Sequence, residues 1–380
     1  MTGFEGGGAS VDGVTLTGTA SNSATQARTG TRSLRVNPGA SSNGGATFGS
    51  GSYVHFGLYV TSLPDASFRV FGSTGAGIDV QIAAPFPQDG TFRLQVRNNA
   101  SNLGTQMVGF AFGLWHWIAV RTVAGTSVPF IAVDGVSGAA ATASPTGTVY
   151  QVGADSVGPA GTDIYIDDII IDDTGFLSPS KVAMLVPTAD SAIGTGWTLG
   201  SGGTTSLFGG VDNIPPTAVA DAGTTAQIRN ATSNANVNYD ATMTTYAAAG
   251  IAAGDTILAV QPVISTAAPV TTSAKLGTVG VASNPTIANI ALGAGGTAGA
   301  FWSGVAGGTW PTGWKGSFGT LTTSPSVTLG TAPVMRVTQV TASTRIAMVA
   351  LMGINVAWTP AAAAAAQLPH VSPYPQILAH

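Results

Sequence analysis

The chain has 380 residues, of which 8% are charged, with a formal net charge of −4 and no cysteine. That length gives room for two domains of ordinary size, each able to bury a core. The three lysines, Lys181, Lys275 and Lys315, are scattered, so there is no basic stripe for a nucleic-acid partner, and the lack of cysteine excludes disulfides and thiolate metal sites. Gly, Ala, Thr and Ser dominate, so solubility rests on hydroxyls and backbone, and the scarcity of Lys and Glu argues against a disordered chain or a coiled coil. Met1 is followed by Thr2-Gly3-Phe4-Glu5 without a basic or apolar leader, so Sec-type export is not expected. No run approaches the roughly 20 apolar residues of a membrane helix, and membrane insertion is not expected either.

Taken in order, Ser33 to Val36 (SLRV) opens the strand pattern after a Gly-Thr turn. Tyr53 to Val60 (YVHFGLYV) and Phe68 to Phe71 (FRVF) follow as short aromatic and β-branched strands with Pro64-Asp65 between them. Phe92 to Arg97 alternates throughout, which predicts Phe92, Leu94 and Val96 inward and Arg93, Gln95 and Arg97 on a wet face. Leu114 to Arg121 (LWHWIAVR) and Phe130 to Val136 (FIAVDGV) read as a hairpin or an adjacent pair, with a turn at Asp134-Gly135. Ile164 to Asp173 (IYIDDIIIDD) reads as a buried strand that closes the first unit, and its aspartates need either a definite job or an exit to water. Strands at intervals of roughly 8 to 15 residues with Gly-rich turns predict an antiparallel sandwich or jelly roll.

Phe176 to Ser180 (FLSPS) interrupts two strand patterns and marks the junction, and Lys181 to Pro187 (KVAMLVP) starts a second unit. Within it a short helix is predicted near Tyr239 to Ala249, stopped by Gly250. The clearest strands are Ile257 to Ser265, Val334 to Val340 and Ile346 to Trp358; in the last, Ile346, Met348, Met352, Ile354, Val356 and Trp358 share one parity. Trp310 and Trp314 flank a turn and read as loop packing. Ala361 to Ala366 and the Pro-spaced remainder read as an extended tail suited to docking on a neighbour. The expected fold is all-β: a β-sandwich over 1–177, a second jelly-roll-like sandwich over 178–360, and the tail over 361–380.

The stretches GFE at Gly3 to Glu5, TGTRSLRV at Thr29 to Val36, LWHWIAV at Leu114 to Val120, FIAVDGV at Phe130 to Val136 and YIDDIII at Tyr165 to Ile171 make the first half resemble concanavalin-like or laminin-G-like jelly rolls and the related carbohydrate-binding modules. With KVAMLVPTAD and a second β-unit ending in ALMGINVAW, residues 1 to 360 resemble a family of tailed-phage virion proteins, described as minor tail or head-associated structural proteins. That resemblance implies a protein assembled in the host cytoplasm and carried on the virion, with other virion proteins and copies of itself as partners. The resemblance of the first half to carbohydrate-binding sandwiches implies a structural calcium ion between the early FE segment and the IDD strand, which here maps onto Glu5 and Asp167 or Asp168.

Jelly-roll glycosidases place two carboxylates across the scissile bond, commonly glutamates. Glu5 is the sole glutamate here, and in a regular strand the neighbours of Asp167/Asp168 and Asp172/Asp173 point to opposite faces, so no enzymatic role is expected. The histidines His55, His116, His370 and His380 are too dispersed for a metal cluster, and His116 faces away from Trp115 and Trp117 on parity. The expected function is that of a non-enzymatic virion structural protein, most simply a minor tail protein. A head decoration or head fibre protein is the alternative, as is a host-adhesion module that binds glycan through Arg93, Arg97 and Trp115.

Overall fold

A computed structural model describes residues 3–4, 10–11, 14–18, 20–36, 44–49, 52–62, 67–73, 77–83, 89–98, 101–143, 149–153, 162–199, 202–212, 228–230, 237–267, 276–281, 290–291, 322–323, 327–339 and 347–361. These form antiparallel sheets, and the one helical piece among them is a 3-10 turn at Leu207–Gly210. The alternation of the sequence accounts for the layers. An eight-stranded sheet runs Ser10–Val11, Val14–Gly18, Gly44–Gly49, Val149–Val152, Phe68–Ser73, Ile78–Ile82, Thr91–Asn98, Ser101–Ala111. A seven-stranded sheet runs Val136–Ser137, Ile131–Val133, Trp115–Arg121, Tyr53–Val60, Ile164–Asp172, Ser33–Val36, Ser21–Ser23. Their inner faces share one core, to which Phe56, Leu58, Ile118, Val120 and Ile166 come from one sheet and Phe71, Val80, Phe92, Leu94 and Tyr150 from the other. Phe71 stacks between Phe56 and Tyr150, with ring centroids 6.0 and 5.5 Å away.

The second sandwich begins at strand Lys181–Leu185, which pairs with the long strand Ala347–Thr359. That strand also pairs with Ile228–Asn230 and Thr256–Ala267 in a six-stranded sheet. A five-stranded sheet of Pro187–Ile193, Val237–Met243, Val334–Gln339, Leu276–Val281 and Ile290–Ala291 supplies the opposing layer. Trp197, Tyr239, Met335, Val337, Met352, Ile354, Val356 and Trp358 fill the core between them. Gly353 lets this strand pass under Met184, since a Cβ there would lie 2.5 Å from the Met184 sulfur.

Three expectations are corrected. The segment predicted as helix is strand Val237–Met243, because Tyr239 and Ala241 alternate into the core while two neighbouring strands satisfy its backbone; only a tight turn stopped by Gly250 follows. The single parity of the last strand breaks at Val349, which enters the core because the ladder slips one residue between Ser265 and Thr266. The outward face of strand Thr91–Asn98 is not uniformly wet: Gln95 is buried, and its side-chain amide donates to the carbonyls of Val96 and Leu103. Glu5, Val340, Ile346, the Trp310–Trp314 turn and the tail beyond residue 361 lie outside the described residues.

Candidate functional site: a buried acid pair and two outer sheet faces

Strand Ile164–Asp172 sits in the middle of its sheet, between Tyr53–Val60 and Ser33–Val36. Its ladder is interrupted between Asp167 and Ile170, and Asp168 takes a left-handed conformation with φ 53°. This bulge is what strict alternation could not anticipate: it turns two consecutive aspartates into one cluster, both fully buried. Asp167 Oδ2 accepts the backbone N–H groups of Arg28 at 2.8 Å and Thr29 at 3.2 Å, and Oδ1 accepts that of Asp168 at 2.8 Å. Asp168 Oδ2 accepts the Arg28 guanidinium at 2.6 Å and the Thr29 hydroxyl at 3.0 Å. Its Oδ1 accepts the Val182 N–H at 2.7 Å, across the junction into the second sandwich. Arg28 also donates to the Ser180 carbonyl. Burial first, then the neighbouring Asp168 charge, pushes the Asp167 carboxyl well above the usual carboxylate range, against the pull of its three N–H donors. Burial likewise raises Asp168, with Arg28 opposing.

The linker from Asp173 to Ser180 is pinned beside this cluster. Leu177 donates its N–H to His55 Nε2 at 3.1 Å, and its carbonyl accepts the Trp117 indole N–H at 3.1 Å. His55 is therefore the neutral tautomer, with its other nitrogen protonated and facing the Ile170 carbonyl at 3.3 Å. Burial holds its pKa down at about 4. His55, Trp117 and Arg28 form a stack: the two rings lie 6.0 Å apart at 16°, and the guanidinium sits 4.8 Å from the indole centroid. Trp117, Ile170, Val182, Ala259 and Ala357 then close a small apolar cluster shared by both sandwiches.

This arrangement bears on the calcium expectation. All four oxygens of Asp167 and Asp168 already accept hydrogen bonds, and the adjacent cation is Arg28. A hard divalent ion needs free oxygens and would sit against the guanidinium, so the two aspartates as arranged do not suit it. No group of three or more His, Asp or Glu side chains is placed to hold a metal among the described residues.

The three residues expected to bind ligand do not form one site. Arg93 and Arg97 stand on the outer face of the eight-stranded sheet, whereas Trp115 stands on that of the seven-stranded sheet, across the sandwich. His116, between the two indoles, points into the sandwich against Phe92 and Phe110. Its nitrogens meet Asp134 Oδ2 at 2.8 Å and the Ala111 carbonyl at 3.1 Å. Burial lowers its pKa, but these two acceptors outweigh it and the net shift is upward.

Trp115 has companions that chain order concealed. Cross-strand register aligns Trp115 with Tyr59, Tyr59 with Tyr165, and Tyr165 with Arg35. The rings are 5.5 and 6.0 Å apart, Trp115 and Tyr59 are half-buried, and Arg35 is tied to Asp163 at 2.6 Å. Further along the same two strands, Trp117 opposite Gly57 and His55 opposite Ala119 are covered by the junction, so this aromatic row borders the seam between the sandwiches. The signal in the sequence was Tyr59, Trp115 and Tyr165 at outward parity, which becomes a row only through register.

Neither a protein-family model nor a curated protein matches the chain. Among solved structures it is similar to the cellulose-induced protein Cip1, at 16% identity over 41% of this chain and 86% of that one, TM-score 0.30. It is also similar to the N-terminal CBM22-1–CBM22-2 tandem of Paenibacillus barcinonensis Xyn10C, at 12% identity over 93% and 96%, TM-score 0.23. It is similar as well to a structure of botulinum neurotoxin type C, a protein whose cell entry depends upon interaction with two ganglioside molecules, at 8% identity over 88% and 93%, TM-score 0.31. The class that the fold defines is an all-β protein of paired β-sandwiches.

Asp168→Ala strands the Arg28 guanidinium and the Val182 amide, and is expected to cost about 3–5 kcal/mol in urea denaturation; a loss below about 1 kcal/mol contradicts the role given to the pair. His55 has a folded pKa below its unfolded value near 6.5, so its contribution is full above about pH 6.5 and is lost as pH falls toward 4, by up to about 3 kcal/mol. Asp167 and Asp168 work oppositely: their contribution is full below about pH 4 and declines as pH rises through their raised values. Because these effects oppose each other between pH 6.5 and about 4.5, the expected outcome is a difference: acidification lowers the melting temperature of the wild type relative to that of His55→Gln, and parallel pH profiles of the two proteins contradict the role given to His55.

Proposed function

We propose that the chain is a non-catalytic structural protein of a tailed-phage particle, most simply a minor tail protein, with head decoration as the alternative position. The observation that carries the reading is the joint. Asp167 and Asp168, fully buried in the first sandwich, hold Arg28, and Asp168 and Arg28 in turn hold Val182 of the second sandwich and Ser180 of the linker. A two-sandwich unit with a clamped linker suits a part that transmits load and position within a particle. The sequence resemblance over residues 1 to 360 supports the same reading. Its partners are then other virion proteins and further copies of itself. Gold-antibody labelling of particles in negative-stain electron microscopy is expected to mark the tail; label on the head selects the decoration position, and unlabelled particles beside free protein contradict the virion reading.

A second reading, a glycan-binding module for host adhesion, is favoured by the half-exposed row of Trp115 and Tyr59 beside Tyr165, since sugar rings stack on aromatic faces. On a glycan array it predicts signal from neutral host-wall sugars that Trp115→Ala lowers at least tenfold; silence across the array contradicts it.

A further inference from the structure

The outer face of the eight-stranded sheet carries a second, chemically different patch. Strands Phe68–Ser73, Ile78–Ile82 and Thr91–Asn98 are consecutive neighbours there. Register aligns Arg69 with Gln81 and Gln95 in one row, and Gly72 with Asp79 and Arg97 in the next, with Arg93 further along the same strand. The slip between Arg69 and Phe71 sends both Val70 and Phe71 into the core and turns Gly72 outward. A Cβ at Gly72 would lie 2.7 Å from Arg69 Cδ, so the bare glycine is what lets the Arg69 side chain lie flat along the sheet.

Arg69, Asp79, Gln81, Arg93 and Arg97 are half-buried. Two of their atoms, Asp79 Oδ1 and Arg93 Nε, are enclosed without a hydrogen-bond partner, a state that costs about 1–3 kcal/mol per group until a partner arrives. Asp89, held by Thr91 at the hairpin end near Arg93, is a further acid at the rim. Three guanidinium groups against Asp79 and Asp89 leave a modest positive excess on a chain whose net charge is −4.

We propose that this face binds an acidic polysaccharide, its carboxylates gripped by Arg69, Arg93 and Arg97 and its hydroxyls by Gln81 and Asp79. Guanidinium pairs with carboxylate through two parallel hydrogen bonds, and amide and carboxylate side chains meet the donors and acceptors of hydroxyls. Nucleic acid fits poorly, because Asp79 stands in the middle of the patch and the excess charge is too small for strong counterion release. A folded protein partner fits poorly as well: among the described residues, these three strands turn no large apolar side chain outward to make an interface core. The inference takes from the glycan reading only the saccharide nature of the ligand, since it uses the opposite sheet and needs no stacking surface.

The test is affinity electrophoresis of the full chain in native gels containing polygalacturonate, dextran or double-stranded DNA. Retardation by polygalacturonate alone is expected, weakened at least tenfold in Arg69→Ala and Arg97→Ala and unchanged in the surface control Val136→Ser. Arg97→Lys, which keeps the charge, is expected to bind several-fold more weakly than wild type and so covers a folding failure of the alanine variant. Absence of retardation by polygalacturonate, equal retardation by dextran or DNA, or retardation that survives both alanine substitutions in folded protein overturns the proposal. Polygalacturonate binding together with a silent neutral array would sink the Trp115 reading and leave this one standing.

Discussion

Two carboxylates buried side by side need their charge answered, and the fold is arranged around the answer. Asp167 and Asp168 lie on the central strand of the seven-stranded sheet, fully enclosed, with the Arg28 guanidinium beside them and donors on every oxygen. Leaving one of those oxygens unpaired would cost more than an ordinary side-chain contact returns, so the segments that supply donors are fixed together. Those segments are the Arg28–Thr29 turn and Val182, the second residue of the next sandwich's opening strand. The joint between the sandwiches is thus part of the first sandwich's own electrostatics.

The linker belongs to the same device. His55 and Trp117 take the N–H and C=O of Leu177, and the stack they form with Arg28 joins the clamp to the acid pair. Gly57 makes the space, since a Cβ there would meet Arg28 Cδ at 2.7 Å and the Trp115 ring at 3.3 Å. Two sandwiches joined by a free tether would move independently; here the tether is held by the rings of one sheet and abuts an apolar cluster from both units.

Much of this was readable from the residues. The strands YVHFGLYV, FRLQVR and IYIDDIIIDD follow from alternation and β-branching, and the demand that the buried aspartates have a job follows from the cost of burying charge. The job itself was not readable. It depends on a bulge at Asp168 that breaks period-2 alternation, and on Arg28, which precedes any strand pattern and is 139 and 140 residues away from its acidic partners. Likewise Trp115 was visible alone, while Tyr59 and Tyr165 became its neighbours only through register, and Arg93 and Arg97 proved to belong to the other sheet. Tyr239 misled because the alanines after it favour helix, whereas pairing on both sides holds the segment as strand.

The measurement that bears most directly on this account is native-state amide hydrogen exchange across the junction. If the acid pair and the Leu177 clamp weld the sandwiches, the amides of Arg28, Thr29, Leu177 and Val182 exchange as slowly as the core strands Tyr53–Val60 and Ile164–Asp172, through global unfolding. Exchange of Leu177 and Val182 orders of magnitude faster than those strands would show a hinge where the account requires a weld.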